Sequence, residues 1–350
     1  MQIPTYATRE DVKNALDSKA TARNDGQIDR ALAAATDSIN GLCHRTFYPQ
    51  VGTRSWDWPT ATGGRAWRLW LDDNELISLT SLTSGGRTID LADVLLEPNA
   101  SGPPYTRLEL NLSGSSSLGG GPTRQRDITA VGLYGYRDDV TTVGTHTGLN
   151  GSATTLVVDA ATSAAVGVGS LLRLGDERLI VTGRSMHDTG QTLAGAVDQQ
   201  VKTLGIPVAD GSQFAETETI LVDTERMRID EIAGNTLIVR RAWDGSANAP
   251  HEAGAHVYAP RALRVTRGAV GTTAAVHSAG SVLRWDPPSL VRQLAIAEAV
   301  TGQAFEASGG ARMLRSGEGS SERTRDSGAL QALRDATYTA HGRKARSRAV

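Results

Sequence analysis

Between Asp25 and Pro49 the apolar residues Ile28, Leu32, Ala35, Ile39 and Leu42 recur in alternating steps of four and three, which places them on one face of an α-helix. Asp25 and Gly26 stand at a start signal, and Asp29 suits the positive end of the helix dipole. The pattern stops at Cys-His-Arg-Thr-Phe-Tyr-Pro, where Pro49 cannot continue a helix and Phe47 and Tyr48 can fold back on it. Upstream, Thr8 with Glu10 and Asp11 reads as the cap of a short helix carrying Val12, Ala15 and Leu16.

From Thr53 to Tyr136 the period becomes that of strands. Trp67, Leu69 and Leu71 alternate with Arg68, Trp70 and Asp72; Ile77, Leu79 and Leu82 lead through Ser84-Gly85-Gly86-Arg87 to Ile89. Leu108, Leu110 and Leu112 form another alternating run, and Ile128–Tyr136 closes the series. Ser113 to Arg124 reads from its composition as a flexible loop. The helical period returns after Asp286-Pro287-Pro288-Ser289, with Leu290, Leu294, Ala297 and Thr301 on one face, suited to pack on the stripe of the first long helix. Residues 316–328 read as a polar linker, 329–341 as a last helix using Leu330, Leu333 and Ala336, and GRKARSRAV as a basic end disordered when alone.

Residues 141–286 repeat themselves. Val239, Arg241, Gly245, Ser246, Ala249, His251 and Gly254 recur as Val265, Arg267, Gly271, Thr272, Ala275, His277 and Gly280. A second echo, at a different offset, matches Leu172–Leu179 with Ile220–Met227. Each reads as strand, tight turn, strand, and together they predict an inserted all-β region of barrel or sandwich type.

Composition narrows the chemistry. The chain has 350 residues, 38 Gly and only 5% aromatic residues, and no run of 18 apolar residues. Neither its N-terminus nor its hydropathy predicts a membrane or secretory route. The one cysteine, Cys43, reads as a small core residue in a reducing compartment. The net charge of −2 conceals a basic excess after residue 311, so the tail calls for an acidic partner.

The search for catalytic or metal motifs predicts no enzyme, no cofactor and no metal. His251-Glu252-Ala253-Gly254-Ala255-His256 spaces its histidines by five where a helical zinc motif needs four, and only the lone His persists in the repeat. Gly119-Gly120-Gly121 lacks the lysine and hydroxyl of a phosphate loop, and no nucleophile elbow is present. Asp72-Asp73 and Asp138-Asp139 read as turn acids. A hydrolase would have to work through Glu177 or Glu225. Trp56, Trp58, Trp67 and Trp70 fit filling between a sheet and the helices better than a stacking platform.

The order of these elements resembles a known family. A short capped helix, a long helix closing in His-Arg-Thr-Phe-Tyr-Pro, hairpins of the kind LWLDDNELISLTSLTSGGRTID, a strand ending in Val-Gly-Leu-Tyr-Gly-Tyr, and Pro-Pro-Ser-Leu opening a helix are similar to the head-to-tail connector (adaptor) proteins of tailed bacteriophages. The resemblance covers 5–136 and 287–308, and departs from the family in the long stretch between Tyr136 and Pro287. It implies an α+β fold: a helical-bundle connector core with β-hairpins (1–140), the inserted β region (141–286), and a core-completing helix with linker and basic tail (287–350). It further implies a homo-oligomeric ring, commonly of twelve subunits, in the virion neck, assembled in the host cytoplasm. Its partners would be the portal protein, the next neck, stopper or tail protein, and the genomic DNA passing through the lumen. Under that resemblance Ile28, Leu32, Ile39, Leu290 and Leu294 build the helical core. Arg334, Arg343, Lys344, Arg346 and Arg348 dock on the portal, and Ser115, Gly120 and Arg124 face the channel or the next ring. The alternative from another class is a carbohydrate-binding or host-attachment protein of a phage tail.

Overall fold

The computed structural model describes residues 3–16, 24–58, 66–200, 202–307 and 320–343. The chain opens with α1 (Arg9–Leu16) and α2 (Asp25–Cys43). Thr8 and Asp11 cap α1 reciprocally: each backbone amide donates to the other's side chain, at 2.9 and 3.1 Å. Along α2 the residues Ile28, Leu32, Ala35 and Ile39 are buried as their spacing predicts, and Cys43 rather than Leu42 completes the stripe.

Seven strands follow: β1 (Gln50–Trp56), β2 (Arg68–Trp70), β3 (Leu76–Ser84), β4 (Arg87–Ile89), β5 (Val94–Glu97), β6 (Arg107–Leu110) and β7 (Ile128–Tyr134). They form a four-stranded antiparallel sheet, β1-β7-β3-β4, and a three-stranded sheet, β2-β6-β5. Both contribute to one apolar core that includes Leu69, Leu71, Leu76, Leu82, Leu108 and Ile128. Trp56 is buried in it, Trp58 and Trp67 pack against it, and the Trp70 ring lies under the guanidinium groups of Arg68 and Arg107. Trp56, Trp58 and Trp67 thus fill a core between strands, not the expected gap between a sheet and the helices.

The remaining elements are β8 (Val140–Leu149), β9 (Thr155–Val157), α3 (Ala160–Ala165), β10 (Leu171–Leu174), β11 (Glu177–Thr192), β12 (Gly205–Pro207), β13 (Thr219–Val222), β14 (Glu225–Ala233), β15 (Thr236–Arg240), β16 (His256–Thr266), β17 (His277–Trp285), α4 (Ser289–Ala307) and α5 (Ser320–His341). The ten strands form one antiparallel sheet that curls on itself twice. In the first turn of the sheet the order is β9-β16-β11-β10-β17-β8, and a bridge between His146 and Val158 joins its two ends. In the second the order is β12-β15-β14-β13-β16-β11, closed by a bridge between Leu193 and Val208. Each is a small barrel with its own apolar core.

The long, bulged strands β11 and β16 run through both barrels, so the second barrel is inserted inside the first. That nesting explains why the sequence repeats carry two different offsets. Equivalent pairs keep equivalent registers: Val181 opposite Val265 matches Ile229 opposite Val239, and Leu149 opposite His277 matches Val197 opposite His251.

By internal contacts the chain divides into two compact units, 1–37 with 140–269 and 273–333, and 38–139 with 270–272 and 334–350. The expected helical-bundle core is not formed. Strands make up 38% of the structure against 25% for helix, and three apolar clusters among the described residues are built largely from strands. No helical bundle is evident: α4 packs on α1, and beside α2 Gly302 lies near Ala31 and Arg30 meets Glu306 at 3.4 Å. The buried residues of α4 are Val291, Leu294, Ala295 and Ala299, one position round the helix from the expected face, which leaves Leu290 half-buried. α5 starts at Ser320, well inside the stretch that composition marks as linker.

Candidate functional site

The residues that persist between the two repeats converge on two buried carboxylates. In the first barrel Glu177, at the start of β11, receives Arg267 Nε on Oε1 (2.7 Å) and Arg267 Nη2 on Oε2 (2.8 Å). The amides of Gly268 and Ala275 donate to the same two oxygens, each at 2.9 Å, and His277 Nε2 lies 2.8 Å from Oε2. In the second barrel Glu225, at the start of β14, is held in the same way by Arg241 (3.0 and 2.6 Å), the amides of Ala242 (2.9 Å) and Ala249 (3.0 Å), and His251 Nε2 (3.0 Å).

The loop that makes this possible is also duplicated. Ala242, Asp244 and Gly245 have φ of 53, 51 and 76°, and Gly268, Val270 and Gly271 have φ of 56, 47 and 84°. These left-handed turns bend the chain round each carboxylate so that two amides point inward. For the β-branched Val270 that conformation is strained. A side chain at Gly271 would meet the Val51 carbonyl at 2.0 Å, so only glycine fits there.

Burial pushes the Glu177 and Glu225 carboxyls up, but the arginine fork, the two amides and the histidine outweigh it and hold each at about 2. A carboxylate kept ionised, with both oxygens occupied, cannot serve as a general acid. Each arginine is equally committed: Arg267 also donates to the carbonyls of Asn150 (2.7 Å), Ala153 (3.0 Å) and Ala275, and Arg241 to those of Asp198 (2.5 Å), Gln200 (3.3 Å) and Ala249. These clusters tie the ends of the barrel strands together, with both oxygens of each carboxylate occupied. The two histidines of the His251–His256 segment part company, His251 to Glu225 and Asp223, His256 to Asp188 (3.0 Å). No group of three metal-ligating side chains occurs among the described residues.

Of the expected portal-docking residues, Arg343 is engaged within its own chain. Its amide donates to the Cys43 carbonyl (2.9 Å), and its guanidinium meets Asp73 at 2.5 Å. Arg334 is half-buried on α5, and Lys344, Arg346 and Arg348 lie outside the described residues. Ser115, Gly120 and Arg124 lie on one loop, where all three are exposed and Arg124 is stacked over Trp58 at 5.3 Å. That loop is tied down where composition suggests flexibility. Ser84 Oγ accepts from the Gly119 amide (2.7 Å), Asp127 from Gly121 (3.1 Å) and Asp93 from Ser116 (3.2 Å). Ile28, Leu32, Ile39 and Leu294 are buried as expected.

A different feature has room for a ligand. Between α1 and the outer face of the second barrel lies an open cavity of about 620 Å³, lined by Arg9, Lys13, Arg184, Arg226, Arg228 and Arg240 together with Glu10, Asp25, Asp244 and Trp243. These cations form no motif in the sequence. The signal that finds them is the two-residue period of β14, where Glu225, Met227 and Ile229 point into the barrel while Arg226 and Arg228 point out.

Comparison of the chain with protein-family models, curated proteins and solved structures finds no match. Among the described residues no helix is long and apolar enough to cross a membrane.

Proposed function

We propose that this chain is a structural protein of the virion neck of a tailed bacteriophage, forming a ring between portal and tail that continues the DNA channel. The observation that supports this reading is the order of elements. Two helices, a strand series ending in β7 and the Pro-initiated α4 follow one another as in the connector proteins, with the nested barrels inserted between β7 and α4. A structural role also agrees with buried acids saturated by arginine, amide and histidine donors. The carbohydrate-binding reading loses its platform, because the tryptophans pack into a core or beneath arginines.

Electron microscopy of the purified protein, alone and with portal, tests the proposal. Rings that co-assemble with portal are expected, and removal of residues 311–350 should leave folded subunits that no longer join it. A protein that stays monomeric beside portal and binds cell-wall sugar instead overturns the reading.

A further inference from the structure

The outer face of the second barrel carries an arrangement that folding alone does not favour. Arg228 on β14 stands directly opposite Arg240 on β15 in the strand register, and like charges so placed repel. Arg240 is answered by Asp230 at 2.8 Å. Arg228 has no carboxylate partner among the described residues: it donates to the side-chain oxygen of Asn14 (3.1 Å) and lies over the Trp243 ring at 5.1 Å.

Arg184, on β11 at the other end of the cavity, gives Nη1 to Glu10 (3.5 Å) and Nη2 to the Ser163 carbonyl (2.5 Å), which leaves its buried Nε without a hydrogen-bond partner. Between them Arg226 pairs with Asp244, and Lys13 lies 2.7 Å from Asp25 and 3.4 Å from Asp244. From β11 to β15 the order is β11-β16-β13-β14-β15, so at about 4.8 Å per strand the cationic wall extends for roughly 19 Å.

We propose that this groove binds the phosphates of an extended oligo-anion, a single nucleic-acid strand or a free oligophosphate. The open donors are separate N–H groups on separate strands, since Asp244 and Glu10 already occupy an edge of Arg226 and of Arg184. Successive phosphates of one chain can each take a single donor along such a wall, so a ligand with regularly spaced charges engages these separate groups together. The proposal is independent of ring formation, so either can fail without the other.

The test is fluorescence anisotropy of a labelled oligothymidine with the full chain, with inorganic tripolyphosphate and an oligo-glutamate peptide as competitors. The double variant Arg184→Gln/Arg228→Gln should bind at least tenfold more weakly. Its plot of log K against log salt should be shallower by roughly 0.7 for each phosphate that the two arginines no longer neutralise. Asn14→Asp, at an exposed position of α1, places a carboxylate on Arg228 without removing any packing and should weaken binding at least threefold with the melting temperature unchanged. Arg30→Gln, at an exposed cation on α2, should change nothing. Tripolyphosphate binding without oligothymidine binding assigns the groove to free oligophosphate, and binding of both assigns it to a strand. Wild-type affinity in both groove variants overturns the proposal, as does oligo-glutamate competing as well as tripolyphosphate.

Discussion

The two barrels share a carboxylate clamp but differ in what surrounds it. In the second, Glu225, Arg241 and His251 have no exposed side-chain surface. In the first, Glu177 is equally hidden, while Arg267 and His277 keep 8% and 13% of theirs. His251 has a second carboxylate, Asp223, 2.7 Å from Nδ1; the repeat places Gly175 at that position in the first barrel. The first barrel instead sets His146 edge-on to His277, with ring centres 6.5 Å apart, and burial followed by the charge of His277 pushes His146 down. The duplicated part is thus the closure of the barrel, and the parts that vary lie around the histidine. The difference also shows which barrel depends more on its clamp.

The largest expected effect comes from breaking a clamp. Glu225→Gln leaves the Arg241 guanidinium buried without its counter-charge, a change that costs about 3–5 kcal/mol. Glu177→Gln should cost less, because Arg267 can recover some hydration. Calorimetric melting of the two single variants measures this, and a larger loss at Glu177 would invert the comparison. Glu218, paired with Arg261 through two contacts of 2.9 Å, joins β16 to the chain leading into β13 and has Ser170 as its counterpart in the repeat. It therefore serves the junction between the barrels.

Acid should act on both clamps. Each glutamate is held at about 2 in the folded chain against an ordinary value of 4.5. The unfolded state therefore takes up protons first as the pH falls, and the contribution present above pH 4.5 is lost progressively toward pH 2. A shift of this size corresponds to about 3 kcal/mol per clamp. Urea unfolding at pH 7, 4 and 3 should show the loss, and Glu177→Gln and Glu225→Gln should each remove part of it. A stability that stays level from pH 4.5 to pH 3 would contradict the proposed role of these carboxylates.

Much of this was legible in the sequence, because the repeat recorded the arginine, histidine and glycine positions on which the clamps depend. The helix stripe of α2 and the cap at Thr8 were equally readable, since capping and amphipathic spacing are local. The partnership of Glu177 with Arg267, ninety residues away, was not. Two offsets look like two unrelated echoes until the nesting of one barrel inside the other is known. The expected helical bundle fails for a related reason: an apolar stripe shows that a helix is buried, but not whether helix or sheet covers it. The arginine wall is hidden in the sequence because outward cations on a strand look like a solvated face until an opposing element encloses them.

The smallest effect separates the barrels most finely. Asp223 has a φ of 50° and Gly175 a φ of 55°, so both turns use a left-handed residue there, and a Cβ at Gly175 would meet nothing within 4 Å. Gly175→Asp should therefore fold, with the left-handed residue a tolerable cost for aspartate, and should bring a carboxylate toward His277 as Asp223 is brought to His251. The reverse change, Asp223→Gly, removes a partner whose side chain is 58% exposed, so screening limits its cost to about 1 kcal/mol or less. Histidine ring nitrogen chemical shifts recorded by NMR at one fixed pH would compare the two. The expected outcome is that His251 Nδ1 loses its hydrogen-bonded shift in Asp223→Gly and that His277 Nδ1 gains one in Gly175→Asp. If neither histidine changes, the second carboxylate does not account for the difference between the barrels, and the neighbouring His146 becomes the group to remove next.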